Sequence, residues 1–176
     1  SGRLVAQKHG IAATGGRAEA SAPWDGDDVA IRRALIGDHE PHRAQLDVLA
    51  RLDAEKNVLA VFGTGRGKSF CFQFAAARRA LAHGEKTLVI YPLRALANDQ
   101  YEALSRRLDP LGLRVLRANG SINAEQREEL FGAVRDGAWD IVLATPEFLS
   151  FHRDAFTGPS APQMIVKSAT TSAGDI

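Results

Sequence analysis

The chain has 176 residues, enough for one domain with its own core, and its 24% charged and 45% hydrophobic residues are ordinary for a globular protein. A formal net charge of +1 excludes a global basic or acidic field, so a polyanionic partner has to be met by a local patch. No run approaches the roughly 18 apolar residues of a membrane span, no N-terminal stretch reads as a signal peptide, and the single cysteine, Cys71, excludes an internal disulfide, a pattern that suits a cytoplasmic protein.

Residues 1–25 are rich in Ala, Gly and Ser, show little periodicity and read as a flexible arm or linker, which leaves residues 26–176 as the domain. In "DDVAIRRALIG" the apolar residues recur at helical spacing, and Gly37 can stop that helix. Asp38 through Pro41 reads as the start of the next helix, with Leu46, Leu49 and Leu52 as its apolar stripe. "NVLAVF", residues 57–62, predicts a buried strand; a glycine loop follows, then a helix over about residues 67–83 that ends at Gly84. The alternation continues with "TLVIY" (87–91) as strand and 93–108 as helix, then "LRVLRA" (113–118) as strand. Residues 123–137 form a helix with Asn123 as cap and Gln126 reaching back, "DIVLAT" (140–145) is a strand, and 146–152 a short helix. "AFTGPSAPQ" is loop-like, and "MIVKS" (164–168) is one more strand. Strands alternating with helices predict an α/β fold, a parallel β-sheet flanked by helices on both faces, whose ligands bind off the carboxyl ends of the strands.

The stretch "VFGTGRGKSF" carries the chemistry. Gly63, Gly65 and Gly67 let consecutive backbone N–H groups turn inward as an anion nest, and the helix that begins behind them adds its positive end. Lys68 can reach the outer phosphates of a nucleotide, and the Ser69 hydroxyl can hold Mg²⁺. A strict phosphate-loop pattern fails, because Phe62 stands where its first glycine is expected. The competing reading is a Gly-rich turn with an exposed lysine.

"FGTGRGKSFCFQF" resembles motif I of the superfamily 2 helicases, in which the first position is commonly not Gly, and "KSFCFQF" is similar to the RecQ-like members. The resemblance covers about residues 36–152, with a weaker tail at 164–176. It implies a RecA-like P-loop NTPase domain that binds ATP and Mg²⁺ with Gly63, Thr64, Gly65, Arg66, Gly67, Lys68 and Ser69, Lys68 being the catalytic lysine and Ser69 the metal ligand. Gln45 in "HEPHRAQ" stands where these helicases pair an amide with adenine N6 and N7, although the arginine before it is one place off; the alternative is an exposed helix glutamine. "VIYPLRALANDQ" resembles motif Ia, which implies that Pro92, Arg94 and Asn98 grip the backbone of a single strand. "ANGSINAEQREEL" through "ATPEFLSF" resembles the next RecQ-like stretch and implies the same for Asn119, Gly120, Thr145 and Pro146. Ser168, Ala169 and Thr170 resemble motif III, which couples hydrolysis to movement.

Motif II does not appear. No Asp-Glu pair follows Glu147, and the Thr145–Glu147 and Ser168–Thr170 motifs stand too close for the strand and helix that separate them in the family. The motif II segment is therefore expected to be missing between residues 153 and 163, and with it the Mg²⁺-anchoring Asp and the Glu that polarises the attacking water. The second RecA-like domain is absent too, and a lone cysteine cannot build a RecQ zinc site. The resemblance thus implies the first RecA-like domain of an ATP-dependent DNA helicase, with single-stranded or forked DNA as partner and RNA still open, and with the fragment itself inactive in hydrolysis. A nucleic-acid-dependent ATPase that remodels RNA or protein–DNA complexes, a non-catalytic ATP- or DNA-binding module, and a P-loop kinase are the alternatives.

Overall fold

The structure is a computed structural model and describes residues 26–60, 62 and 67–168. The arm at 1–25, the loop residues Gly63, Thr64, Gly65 and Arg66, and Ala169 and Thr170 lie outside the described residues. The elements in chain order are helices α1 (Gly26–Ile36), α2 (Arg43–Asp53) and α3 (Lys68–His83), strand β1 (Thr87–Ile90), helix α4 (Arg94–Leu108), strand β2 (Val115–Ala118), helix α5 (Ala124–Arg135), strand β3 (Ile141–Ala144), helix α6 (Pro146–Phe151) and strand β4 (Met164–Lys167).

Local chemistry accounts for most boundaries. Gly37 and Gly84 follow α1 and α3 with left-handed φ of 63° and 64°, a conformation that glycine adopts without the Cβ penalty. Asn123 caps α5: its Oδ1 accepts from Gln126 N at 2.8 Å while Gln126 Oε1 accepts from Asn123 N at 3.0 Å, the reciprocal box expected from the sequence. Helix α2 begins later than predicted. It starts at Arg43, behind the extended residue His42, because the Gln45 side chain supplies the acceptor for His42 N and fixes the first turn there.

The four strands are all parallel in the order β2-β3-β1-β4, with Leu88 beside Val142 and Ile165, and Leu116 beside Val142. Alternation along each strand divides the core in two. On one face Val89, Ile141 and Leu143 pack against Ile31, Phe70, Phe74, Leu104 and Leu108 from α1, α3 and α4. On the other, Leu88, Leu116 and Val142 pack against Leu130, Val134, Trp139 and Phe148 from α5, α6 and the turn before β3. Strand β4 is covered on one side only: Met164 and Val166 join the first cluster, whereas Ile165 is 60% exposed.

One predicted strand is corrected. Residues 57–60 of the run "NVLAVF" form no strand, and Leu59 is 77% exposed. An apolar run becomes a strand only where a neighbour's N–H and C=O groups are on offer. Here the sheet among the described residues stops at β4, whose inner edge is taken by β1, and the run stands outside it.

Candidate functional site

The carboxyl ends of β1, β2 and β3 open into loops on one rim of the sheet, and the end of β4 lies on the same rim. Pro92 and Leu93 follow β1 and lead into α4, which starts at Arg94. Asn119, Gly120 and Ser121 follow β2, Thr145 and Pro146 follow β3, and Ser168 follows β4. Parallel pairing at consecutive registers puts all these exits on the same side, which is the property that makes such a rim a binding edge.

Side-chain amides tie the rim together. Asn98, on α4, donates from Nδ2 to Ser121 Oγ at 3.1 Å and accepts at Oδ1 from Asn119 Nδ2 at 2.9 Å and Arg117 Nη1 at 3.4 Å. Asn119 is 0% exposed, and its Oδ1 accepts from Ser121 N at 2.8 Å. A buried amide with both ends bonded holds backbone in place. Asn119 and Asn98 therefore fix the loop after β2 onto the first turns of α4. Arg94 lies against the same loop: a Cβ on Gly120 would stand 3.3 Å from Arg94 Nη1. Arg117 stacks its guanidinium over the Tyr101 ring at 4.9 Å. Thr145 caps α6 and is buried, its Oγ1 accepting from Phe148 N at 3.4 Å. Ser168 N donates to Ile90 O at 2.9 Å and continues the β4–β1 ladder by one residue.

The phosphate-loop end is organised by Gly67 and Gln45. Gly67 has φ 67° and immediately precedes α3, so the positive end of that helix begins there, with Lys68 as its first residue and Phe70 N donating to Gly67 O at 3.1 Å. Gln45 is 5% exposed, which sets aside the exposed-glutamine reading. Its Nε2 donates to Gly67 O at 2.8 Å and its Oε1 accepts from His42 N at 2.7 Å. The contact demands glycine, because a Cβ on Gly67 would fall 2.6 Å from Gln45 Nε2. Ser69 follows on α3, half-buried. Cys71 is buried in the same helix, and burial pushes its thiol up to about 11 against the opposing pull of a backbone hydrogen bond. Burial also raises the pKa of the Tyr91 hydroxyl, which among the described residues has no hydrogen-bond partner. No group of three His, Cys, Asp or Glu among the described residues could hold a metal ion, so a protein-built metal cage is not part of the described site.

The structure thus brings together Gln45 with Gly67, Arg94 with Gly120, and Asn98 with Asn119. Sequence reasoning overlooked Ser121, which Asn98 holds in the loop after β2, and Arg117 and Tyr101, which join β2 to α4 beside it. Ser121 stands directly behind the quoted Asn119-Gly120 pair, a proximity that could have drawn attention to it; Arg117 and Tyr101 carry no local signal, since only the fold makes them neighbours.

The family model described as DEAD/DEAH box helicase matches residues 42–166. The chain is similar to the ATP-dependent DNA helicase RecQ of Bacillus subtilis, 31% identical over 114 residues that are 64% of this chain and 18% of that protein. It is also similar to the ATP-dependent RNA helicase DBP3 of Eremothecium gossypii, 35% identical over 123 residues, 66% of this chain and 22% of that protein. Among solved structures it resembles a hypothetical ATP-dependent RNA helicase from Sulfolobus tokodaii with a TM-score of 0.61, at 22% identity over 79% of this chain and 40% of that one, a likeness of fold. The match spans only about a fifth of the length of these two curated relatives, and 7% of the ATP-dependent helicase SGS1 of Saccharomyces cerevisiae.

Proposed function

The chain belongs to the DEAD/DEAH box helicase family, and from that premise we propose that residues 26–176 are the first RecA-like domain of an ATP-dependent, RecQ-like DNA helicase, with residues 1–25 as an arm. The observation that carries this reading is the junction at Gly67: a left-handed glycine clamped by Gln45 hands directly to a helix whose first residue is Lys68. That junction fits a nucleotide phosphate, since it sets the positive end of α3 and a lysine directly behind a glycine whose missing Cβ leaves Gln45 Nε2 its place. ATP supplies the phosphoanhydride bond whose cleavage drives such motors. In this reading Gly63, Thr64, Gly65, Arg66 and Gly67 turn their N–H groups to the phosphates, Lys68 neutralises the outer ones, and the Ser69 hydroxyl gives Mg²⁺ one oxygen, with phosphate and water supplying the rest. Gln45 faces adenine, exchanging its present bonds to His42 and Gly67 for the base edge.

The rim after the strands is the track for a single strand. Arg94 and the backbone of Pro92, Gly120, Thr145 and Pro146 meet phosphates, while Asn98 and Asn119 hold the loops that carry them. Ser168, Ala169 and Thr170 serve as the segment that couples hydrolysis to movement. Domain closure on ATP against a second RecA-like domain would complete both sites and ratchet the strand. Because the chain has no Asp-Glu pair after Glu147, it binds nucleotide without hydrolysing it.

The test is nucleotide-dependent thermal stabilisation. Mg²⁺ with a non-hydrolysable ATP analogue is expected to raise the melting temperature of the wild-type chain, and Lys68→Ala to abolish the shift. A shift that survives the substitution removes Lys68 from the phosphate site. The similarity to an RNA helicase supports a second reading, an RNA-directed ATPase that remodels without unwinding. Backbone contacts serve either polymer, so competition between single-stranded DNA and RNA of one sequence separates the two.

A further inference from the structure

Two glutamines from the motif-like stretches received no role from the resemblance: Gln73 in "KSFCFQF" and Gln100 in "ANDQ". The fold brings them together. Gln73 Nε2 donates to Gln100 Oε1 at 3.3 Å, joining α3 to α4. Gln73 is 4% exposed and sits on the face of α3 that also presents Phe70, Phe74 and Ala77 to the core. An amide buried in an apolar layer is unfavourable unless paired, and an apolar side chain of the same size would pack there without that requirement. What the pair adds is register, because a hydrogen bond between two amides fixes how one helix stands against the other.

That register connects two ends. Gln73 lies about 7.5 Å along α3 from Lys68, and Gln100 about 9 Å along α4 from Arg94, at 1.5 Å per residue. Helix α1 packs against both helices, so the side chains of Gln73 and Gln100 meet where the two helices have no broad face in common. Beyond each end stand further amide bonds: Gln45 holds Gly67 ahead of α3, and Asn98, two residues before Gln100, holds Asn119. A small rotation of α3 when phosphate fills its N-terminus would therefore be passed to α4 through this bond.

We propose that Gln73 and Gln100 are paired positioning residues through which a nucleotide at the start of α3 and a single strand at the start of α4 alter one another's affinity. This inference rests on the function proposed above. Neither residue touches either ligand.

The test measures coupling, which a purely structural role would not move. Binding of a labelled single-stranded oligothymidylate is followed by anisotropy with and without Mg²⁺ and the ATP analogue, and the ratio of the two dissociation constants is the coupling factor. By linkage, the oligonucleotide must change nucleotide affinity by the same factor. Coupling factors of this kind run from about 5 to about 150. In Gln73→Met, Gln100→Met and the double variant the factor is expected to fall alike to near 1, with each ligand alone bound within about twofold of wild type; equal loss in single and double variants marks a pair acting as a unit. Gln100 is only half-buried, so Gln100→Met keeps the test available should Gln73→Met fail to fold. Retention of the wild-type factor in the variants, or a wild-type chain that binds both ligands independently, overturns the inference. A wild-type chain that binds neither ligand instead overturns the proposed function.

Discussion

Gly67 carries two constraints at once. Its φ of 67° is left-handed, and its missing Cβ leaves Gln45 Nε2 the space to reach the Gly67 carbonyl. Gly67→Ala is expected to destabilise the fold by about 1–2 kcal/mol from the left-handed backbone alone, read by urea unfolding, and to push Gln45 aside, read as lost nucleotide binding. Cys71 behaves differently. Its folded pKa is raised from 9.0 to about 11, so the unfolded chain gives up the thiol proton first. The stabilising contribution is complete below pH 9 and is lost as pH rises towards 11. The stability difference between wild type and Cys71→Ala should therefore shrink or reverse across that window, and thiol reagents near neutral pH should label Cys71 only as fast as the chain unfolds. The sequence told which residue types stand at the phosphate loop, because Gly and Lys-Ser carry their physics locally. It could not tell that Gln45 would be buried with both amide ends taken, since its partner stands far along the chain at Gly67.

Beside their shared apolar core, helices α1, α2 and α3 are joined by one guanidinium. Arg78 Nε and Nη2 each donate to Asp28 at 2.8 Å, Nη1 donates to Asp53 at 2.7 Å, and the carbon of the guanidinium lies 4.8 Å from the Phe74 ring centre. Burial alone would lower the pKa of Arg78, but the hydrogen bonds it donates to Asp28 and Asp53, with their negative charge, outweigh it and hold it above the ordinary value. Asp53 is half-exposed and screened by water, so most of the strength comes from the two-pronged bond with Asp28. Arg78→Ala is expected to cost about 2 kcal/mol in urea unfolding, with Asp28→Asn losing much of the same amount. At this scale the helices were well legible, since their caps and stripes are local: Asn123 with Gln126, Gly37, and Gly84 all stand where the pattern put them. The strand read over 57–62 was not, for residues 57–60 form none, because an apolar run announces burial but not the partner edge that a strand requires.

For the molecule as a whole, the parallel α/β architecture followed from the alternation of elements, and the strand order β2-β3-β1-β4 did not, because order depends on which edges the helices leave open. The proposed division of labour, binding without cleavage, is itself measurable. The isolated chain with Mg²⁺, ATP and single-stranded DNA should release no phosphate above background, while still showing nucleotide-dependent stabilisation; steady phosphate release that Lys68→Ala removes would mean that a carboxylate elsewhere in the chain positions the water. The sheet's own boundary has a practical outcome. Among the described residues nothing pairs with the outer rim of β4, Ile165 stands 60% exposed upon it, and Leu59 is 77% exposed elsewhere on the surface. A bare strand with an apolar side chain is a template for any other extended chain, and Lys167 is the sole charge on it. Self-association along that rim is the expected outcome of raising the concentration, and sedimentation of the chain beside an Ile165→Lys variant would read it.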